Sequence, residues 1–118
     1  MTAEVEKFRK DLQVLKETAQ QVQKDFESCG LDIDFSVPMF REEILPYEEL
    51  LNRVKSQVEK SMKMQEGAFH NLLYRIDIPE KNFVQLKSTS NDFIHDVSRL
   101  ILEREFMKVV TRRLFKAD

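Results

Sequence analysis

Apolar residues recur along this chain at alternating gaps of three and four, the spacing of one face of a helix. In the C-terminal third, Phe83, Leu86, Phe93, Val97, Leu100, Met107 and Leu114 keep that phase between Pro79 and Phe115. Around residues 100–115 the apolar surface widens until it nearly encircles the helix, as expected of a helix with partners on two sides. Near the N-terminus, Val5, Phe8, Leu12, Leu15, Ala19, Val22, Phe26 and Cys29 repeat the same gaps. Lys, Glu, Gln and Arg fill the positions between them, which gives a narrow seam with a solvated back. Thr2 fits the N-cap of this helix, and Glu4 and Glu6 suit the positive end of its dipole. Gly30 ends it, because the residue after a helix usually takes left-handed backbone, and Leu31 can then fold onto the last turn.

The middle of the chain continues the pattern through Val37, Phe40, Ile44, Tyr47, Leu51, Val54 and Val58. Ser36 suits the cap of this helix and Pro38 its first turn. Pro46 interrupts the run, since it removes one backbone hydrogen bond and crowds the turn before it. The helix either kinks there or restarts at Pro46. Glu48 and Glu49 favour the restart, and the unbroken phase keeps the two pieces nearly collinear. Leu31, Ile33 and Phe35 alternate with polar residues, but no second strand exists to pair with them. Residues 31–36 therefore read as an extended connector.

The sharpest punctuation is Asp77-Ile78-Pro79-Glu80, where Asp77 and Glu80 have capping-box spacing and Pro79 suits a first turn. Lys87 to Asp92 reads KSTSND, a cluster of cap formers with poor helix propensity. It could split the last helix, with Thr89 or Ser90 as a new N-cap, but Phe83, Leu86, Ser90, Phe93 and Val97 stay in phase across it, so one continuous or bent helix is the favoured expectation. The fold class is all-α: a three-helix up-down-up bundle forming a single domain over 1–118. Its helices span about 3–29, about 38–76 with the break or kink at Pro46, and about 79–116.

A turn at Ile78 makes the last two helices a long antiparallel hairpin whose facing residue numbers add up to about 156. Val54 then meets Ile101 and Val58 meets Val97. Ser61, Gln65 and Ser90, with Asn91 beside them, coincide as one polar layer that would set the register. Each arm would run to about 55 Å against about 40 Å for the first helix, so one end of the hairpin projects. That end carries Phe69, Leu73, Tyr74, Ile76, Ile78, Phe83 and Val84, more apolar surface than two helices bury between them. A homodimer, or a protein partner, seated on these residues is the expectation.

Composition sharpens this picture in few places. Of 118 residues only 2 are Gly and 3 are Pro, too few for the turns of an all-β fold. The formal charge of −2 gives no reason to expect nucleic acid as a partner. The one cationic run, Arg99, Arg104, Lys108, Arg112 and Arg113, is interleaved with Glu103 and Glu105 as in a salt-bridged face. No apolar stretch reaches the roughly 20 residues that span a bilayer. Met1 to Lys10 lacks the apolar core of a secretory signal, so a cytoplasmic protein without membrane contact is expected. Cys29 is the single cysteine, which excludes an intrachain disulfide and a multi-cysteine zinc site.

Chemistry is sparse. Asp32 and Asp34 lack the Gly and Glu of a calcium loop. No Gly-rich phosphate loop occurs, and no nucleophile sits on a recognisable strained turn. Glu66 with His70 (i, i+4) and Asp92 with His95 (i, i+3) each have the spacing of half a metal site, although neither matches the Glu-x-x-His pattern of a di-iron bundle. The hairpin register sets them apart within one chain, so only a dimer would join them. The expected function is a non-catalytic interaction, scaffold or regulatory protein without cofactor, self-associating through the hairpin. A metal-binding protein or enzyme using the two acid–histidine pairs across a dimer is the alternative.

Overall fold

The computed structural model describes residues 3–31, 46–64 and 66–115, and every regular element among them is a helix. These are α1 (Ala3–Phe8), α2 (Leu12–Ser28), α3 (Pro46–Met64), α4 (Glu66–Arg75), α5 (Glu80–Thr89) and α6 (Phe93–Phe115). The expected Ser36 cap, the Pro38 start, the connector after Leu31 and the stretch of helix before Pro46 lie outside the described residues.

α6 is the centre, and α2 and α3 both pack along it. It buries Val97, Ile101, Glu105 and Val109 on one row and Ser98, Leu102, Phe106 and Val110 on the next. Two adjacent rows at gaps of four are what a helix needs when it is covered from two sides. The single seam expected from Leu100, Met107 and Leu114 is displaced accordingly: the first two are half-buried and Leu114 is exposed. A strict seven-residue seam drifts around a straight helix, so a long one follows its partners rather than the heptad. α2 runs antiparallel to α6. Glu17 pairs with Arg113, and Asp25, about two turns on, pairs with Lys108.

The N-terminal helix expected over 3–29 is two helices. The chain turns at Arg9 and Lys10, and Asp11 restarts it by accepting from the N–H groups of Gln13 (2.9 Å) and Val14 (3.3 Å). The break is offset by what Arg9 reaches. Its guanidinium stands 4.8 Å from the Phe106 ring centre and 5.1 Å from that of Tyr47, and it pairs with Glu103. Burial works against the Arg9 charge, yet hydrogen bonds with Glu103 and Tyr47 outweigh it and raise the guanidinium above its ordinary value. The Tyr47 hydroxyl donates to Glu103 at 2.8 Å, and burial together with that bond pushes the phenol up to about 12. Asp11→Ala should cost about 1 kcal/mol in urea unfolding, the usual worth of an N-cap carboxylate. A loss under about 0.3 kcal/mol would mean that the turn is held by Arg9 alone.

The end of α2 follows the sequence. Gly30 has φ 77°, its N–H bonds Glu27, and the Leu31 N–H returns to Phe26 at 2.9 Å with Leu31 buried.

The helix expected over 79–116 is also two. α5 ends at Thr89, and α6 starts after Asp92, whose carboxylate accepts from the His95 N–H at 3.3 Å. The Ser90 hydroxyl donates to Asp96 at 2.6 Å and accepts from the Asp92 N–H. The cap formers of KSTSND prevail over phase here. Of the polar layer expected from Ser61, Gln65 and Ser90, the described residues show Ser61 and Ser90 in separate local bonds. Ser61 is buried and bonds its own helix at Val58, Ser90 serves the α5–α6 turn, and Gln65 lies outside the described residues.

The turn back at residues 90–92 lays α5 on α6, so Asp77, ahead of α5, reaches Arg104, about three turns into α6 (3.1 Å). Arg75 at the end of α4 reaches Asp25 on α2 at 3.0 Å. The α4–α5 segment is thus folded into the body, whose longest dimension is 39 Å. No arm of about 55 Å projects.

Candidate functional site

The corner between α4 and α5 carries the residues expected to face a partner. α4 ends in a left-handed cap: Asp77 has φ 66°, its N–H bonds Tyr74, and the Ile78 N–H returns to Leu73 at 2.9 Å. This is the double bond of a Schellman ending, with Ile78 brought over Leu73. Asp77 therefore closes α4. It is not the capping-box start of α5, whose N-cap is Pro79 with no side-chain bond.

Of the seven residues expected to form an exposed apolar surface, five are inside. Phe69, Leu73, Ile76, Ile78 and Phe83 are buried in the main core. Phe83 packs against Phe69 (5.8 Å between ring centres), His70 (5.3 Å) and Phe93 (5.4 Å). Tyr74, 89% exposed, and Val84, 55% exposed, remain on the surface. Tyr74 stands at the edge of a groove of about 260 Å³ lined by His70, Leu73, Ile78, Glu80 and Phe83 as well. Its floor is apolar and two of its lining groups are polar.

The acid–histidine pairs do not converge. Asp92 is occupied as the N-cap of α6, with the His95 backbone as its donor. His70 lies edge-on against Phe83, and the Glu66 side chain is outside the described residues. Among the described residues no group of three or more His, Cys, Asp and Glu is placed to hold a metal. In the cationic run, Arg104, Lys108 and Arg113 engage Asp77, Asp25 and Glu17 respectively.

One cluster escaped the sequence pattern. Asp25 on α2 and Glu105 on α6 are 2% and 0% exposed. Lys108 Nζ lies 3.1 Å from Asp25 Oδ2 and 3.2 Å from Glu105 Oε1. Arg75 Nε donates to Asp25 Oδ1 at 3.0 Å, and Gln21 Nε2 to Oδ2 at 3.1 Å. Burial pushes Asp25 up, but bonds with Glu105, Gln21 and Lys108 outweigh it and hold the carboxyl below its usual range. Burial first, and then Asp25, pushes Glu105 up to about 8. The only sequence signal was Glu105 at a four-residue gap from Ile101 and Val109, on a row that is otherwise apolar.

No family model, curated protein or solved structure matches this chain. No helix among the described residues is long and apolar enough to cross a membrane.

Proposed function

We propose that the chain is a non-catalytic helical interaction module that self-associates weakly through the α4–α5 corner. Tyr74 of one copy would enter the groove of another. The observation that carries this reading is adjacency: an aromatic side chain 89% exposed stands beside an apolar groove on one surface. A two-fold interface uses the same patch twice, so it needs a projection and a recess side by side. The recess also suits a phenol. Leu73, Ile78 and Phe83 would take the ring, and His70 or Glu80 would take the hydroxyl. With every other apolar residue expected at the corner except Val84 committed to the core, the interface is small. Affinity in the micromolar to millimolar range is expected, not an obligate dimer.

Sedimentation velocity across that range tests the reading. The wild-type mass should rise from 14.0 kDa with concentration, while Tyr74→Ala should stay at the monomer mass. A wild-type protein still monomeric at about 1 mM would sink the proposal, as would a Tyr74→Ala variant that associates equally well.

A further inference from the structure

We propose that Asp25 and Glu105 form a proton-operated latch: one proton shared between the two carboxyls keeps α2 and α4 closed on α6, and its loss parts them. The geometry sets the conditions. Both carboxyls are buried, both lie within 3.2 Å of the same Lys108 ammonium, and Arg75 joins Asp25 from α4. Three helices therefore meet at one point of charge. Glu105 Oε2 has no N–H or O–H donor among the described residues, so a proton between Glu105 and Asp25 is the bond that would satisfy it.

The groups facing the pair explain why a second negative charge is not tolerated there. α2 brings Asp25, Gln21 and the Cys29 thiol nearby, α4 brings Arg75, and α6 brings Lys108. α3 and α5 meet α6 within an apolar core that includes Leu50, Val54, Val58 and Phe83. Lys108 and Arg75 keep 30% and 42% of their side chains in solvent, which screens them. Burial outweighs these screened cations at Glu105, so ionising the second carboxyl is costly in the closed state and favours whatever opening admits water. The way in exists. A groove of about 510 Å³ between α2 and α6, lined by Gln21, Arg104, Met107, Lys108, Thr111 and Arg112, brings solvent to two of the three residues that donate to Asp25.

The sign follows from the proton count. The closed state keeps its proton up to about pH 8, whereas an opened Glu105 loses it near its ordinary value of 4.5. Between those limits each pH unit should favour opening about tenfold, and above about pH 8 the effect should level off.

Amide hydrogen exchange on the full chain, corrected for intrinsic rates, tests this directly. Protection of residues 22–28 and 101–109 should fall about 100-fold from pH 5 to pH 7 in the wild type. In Glu105→Gln, whose amide donates to Asp25 without titrating, protection should stay flat. Carbon-detected NMR of the Glu105 carboxyl gives a second reading that needs no variant to fold. A midpoint well above the ordinary carboxylate range supports the latch, and Asp25→Asn should bring it down. Flat wild-type protection, an equal fall in Glu105→Gln, or a Glu105 midpoint in the ordinary range would each overturn it.

Discussion

Phe106→Ala should lower the stability of the chain by about 3–5 kcal/mol, the upper range for truncating a buried side chain. Phe106 is fully buried and forms a second core with Val14, Val109 and Val110, against which Phe8 and Tyr47 pack. Tyr47 meets it edge-on at 5.8 Å and Arg9 lies over its face. Its loss therefore empties a cavity and also releases the turn at Arg9 that carries α1. For a domain with about 5–15 kcal/mol in total, most of the margin would go, and the melting temperature should drop by about 15 °C. Leu114→Ala is the matched control. The heptad seam places Leu114 in the interface, but the structure leaves it 43% exposed, so the change should stay within about 0.5 kcal/mol. Urea unfolding of the two variants separates a helix covered from two sides from a simple hairpin seam.

Lys108→Met should cost about 3 kcal/mol at neutral pH, at the low end for breaking a buried ion pair because Lys108 keeps part of its surface in solvent. The stem of Met replaces the packing of the Lys methylenes, so the loss reports the charge. Without the ammonium, Asp25 and Glu105 face each other with only Arg75 to offset them. The native pair then holds its proton to higher pH than in the wild type, while the unfolded chain still ionises near the ordinary value. Stability of the variant should consequently go on falling above pH 8, where that of the wild type levels off, and the gap between the two should widen. Chemical denaturation at pH 6, 8 and 9 measures this; a constant gap would mean that Lys108 does not govern the carboxyl pair.

These expectations depend on which residues were legible in advance. The α2 face of Leu15, Ala19, Val22 and Phe26, and the ending at Gly30 and Leu31, follow from spacing and from the left-handed conformation glycine permits. They are local, and local signals survive folding. The wide apolar surface of α6 also announced two partners. Two breaks run against the apolar phase: Asp11 and Asp92 each begin a helix by capping it, and a carboxylate inside a polar stretch looks the same whether it caps or faces water, even where KSTSND supplies cap formers. Asp77 takes left-handed backbone, which Asp tolerates better than most residues other than Gly and Asn, so it closes α4 where its spacing to Glu80 suggested that it opened α5.

The candidate corner was legible in part. Tyr74 and Val84 are on the surface, while Phe69, Leu73, Ile76, Ile78 and Phe83 are covered because α5 folds back on α6 instead of extending the hairpin. That depended on the α5–α6 turn and could not be read from hydrophobicity. Asp25 and Glu105 were hidden for another reason: charged residues count as solvated until tertiary structure brings two of them to one lysine.

Self-association as proposed turns on Tyr74 of one copy occupying the recess of a second. Isotope-filtered NMR on an equal mixture of labelled and unlabelled protein, at concentrations where association sets in, observes that contact directly. Cross-peaks between copies should join the Tyr74 ring to the methyls of Leu73 and Ile78. Cross-peaks that leave Tyr74 out, or none between copies at all, would contradict it.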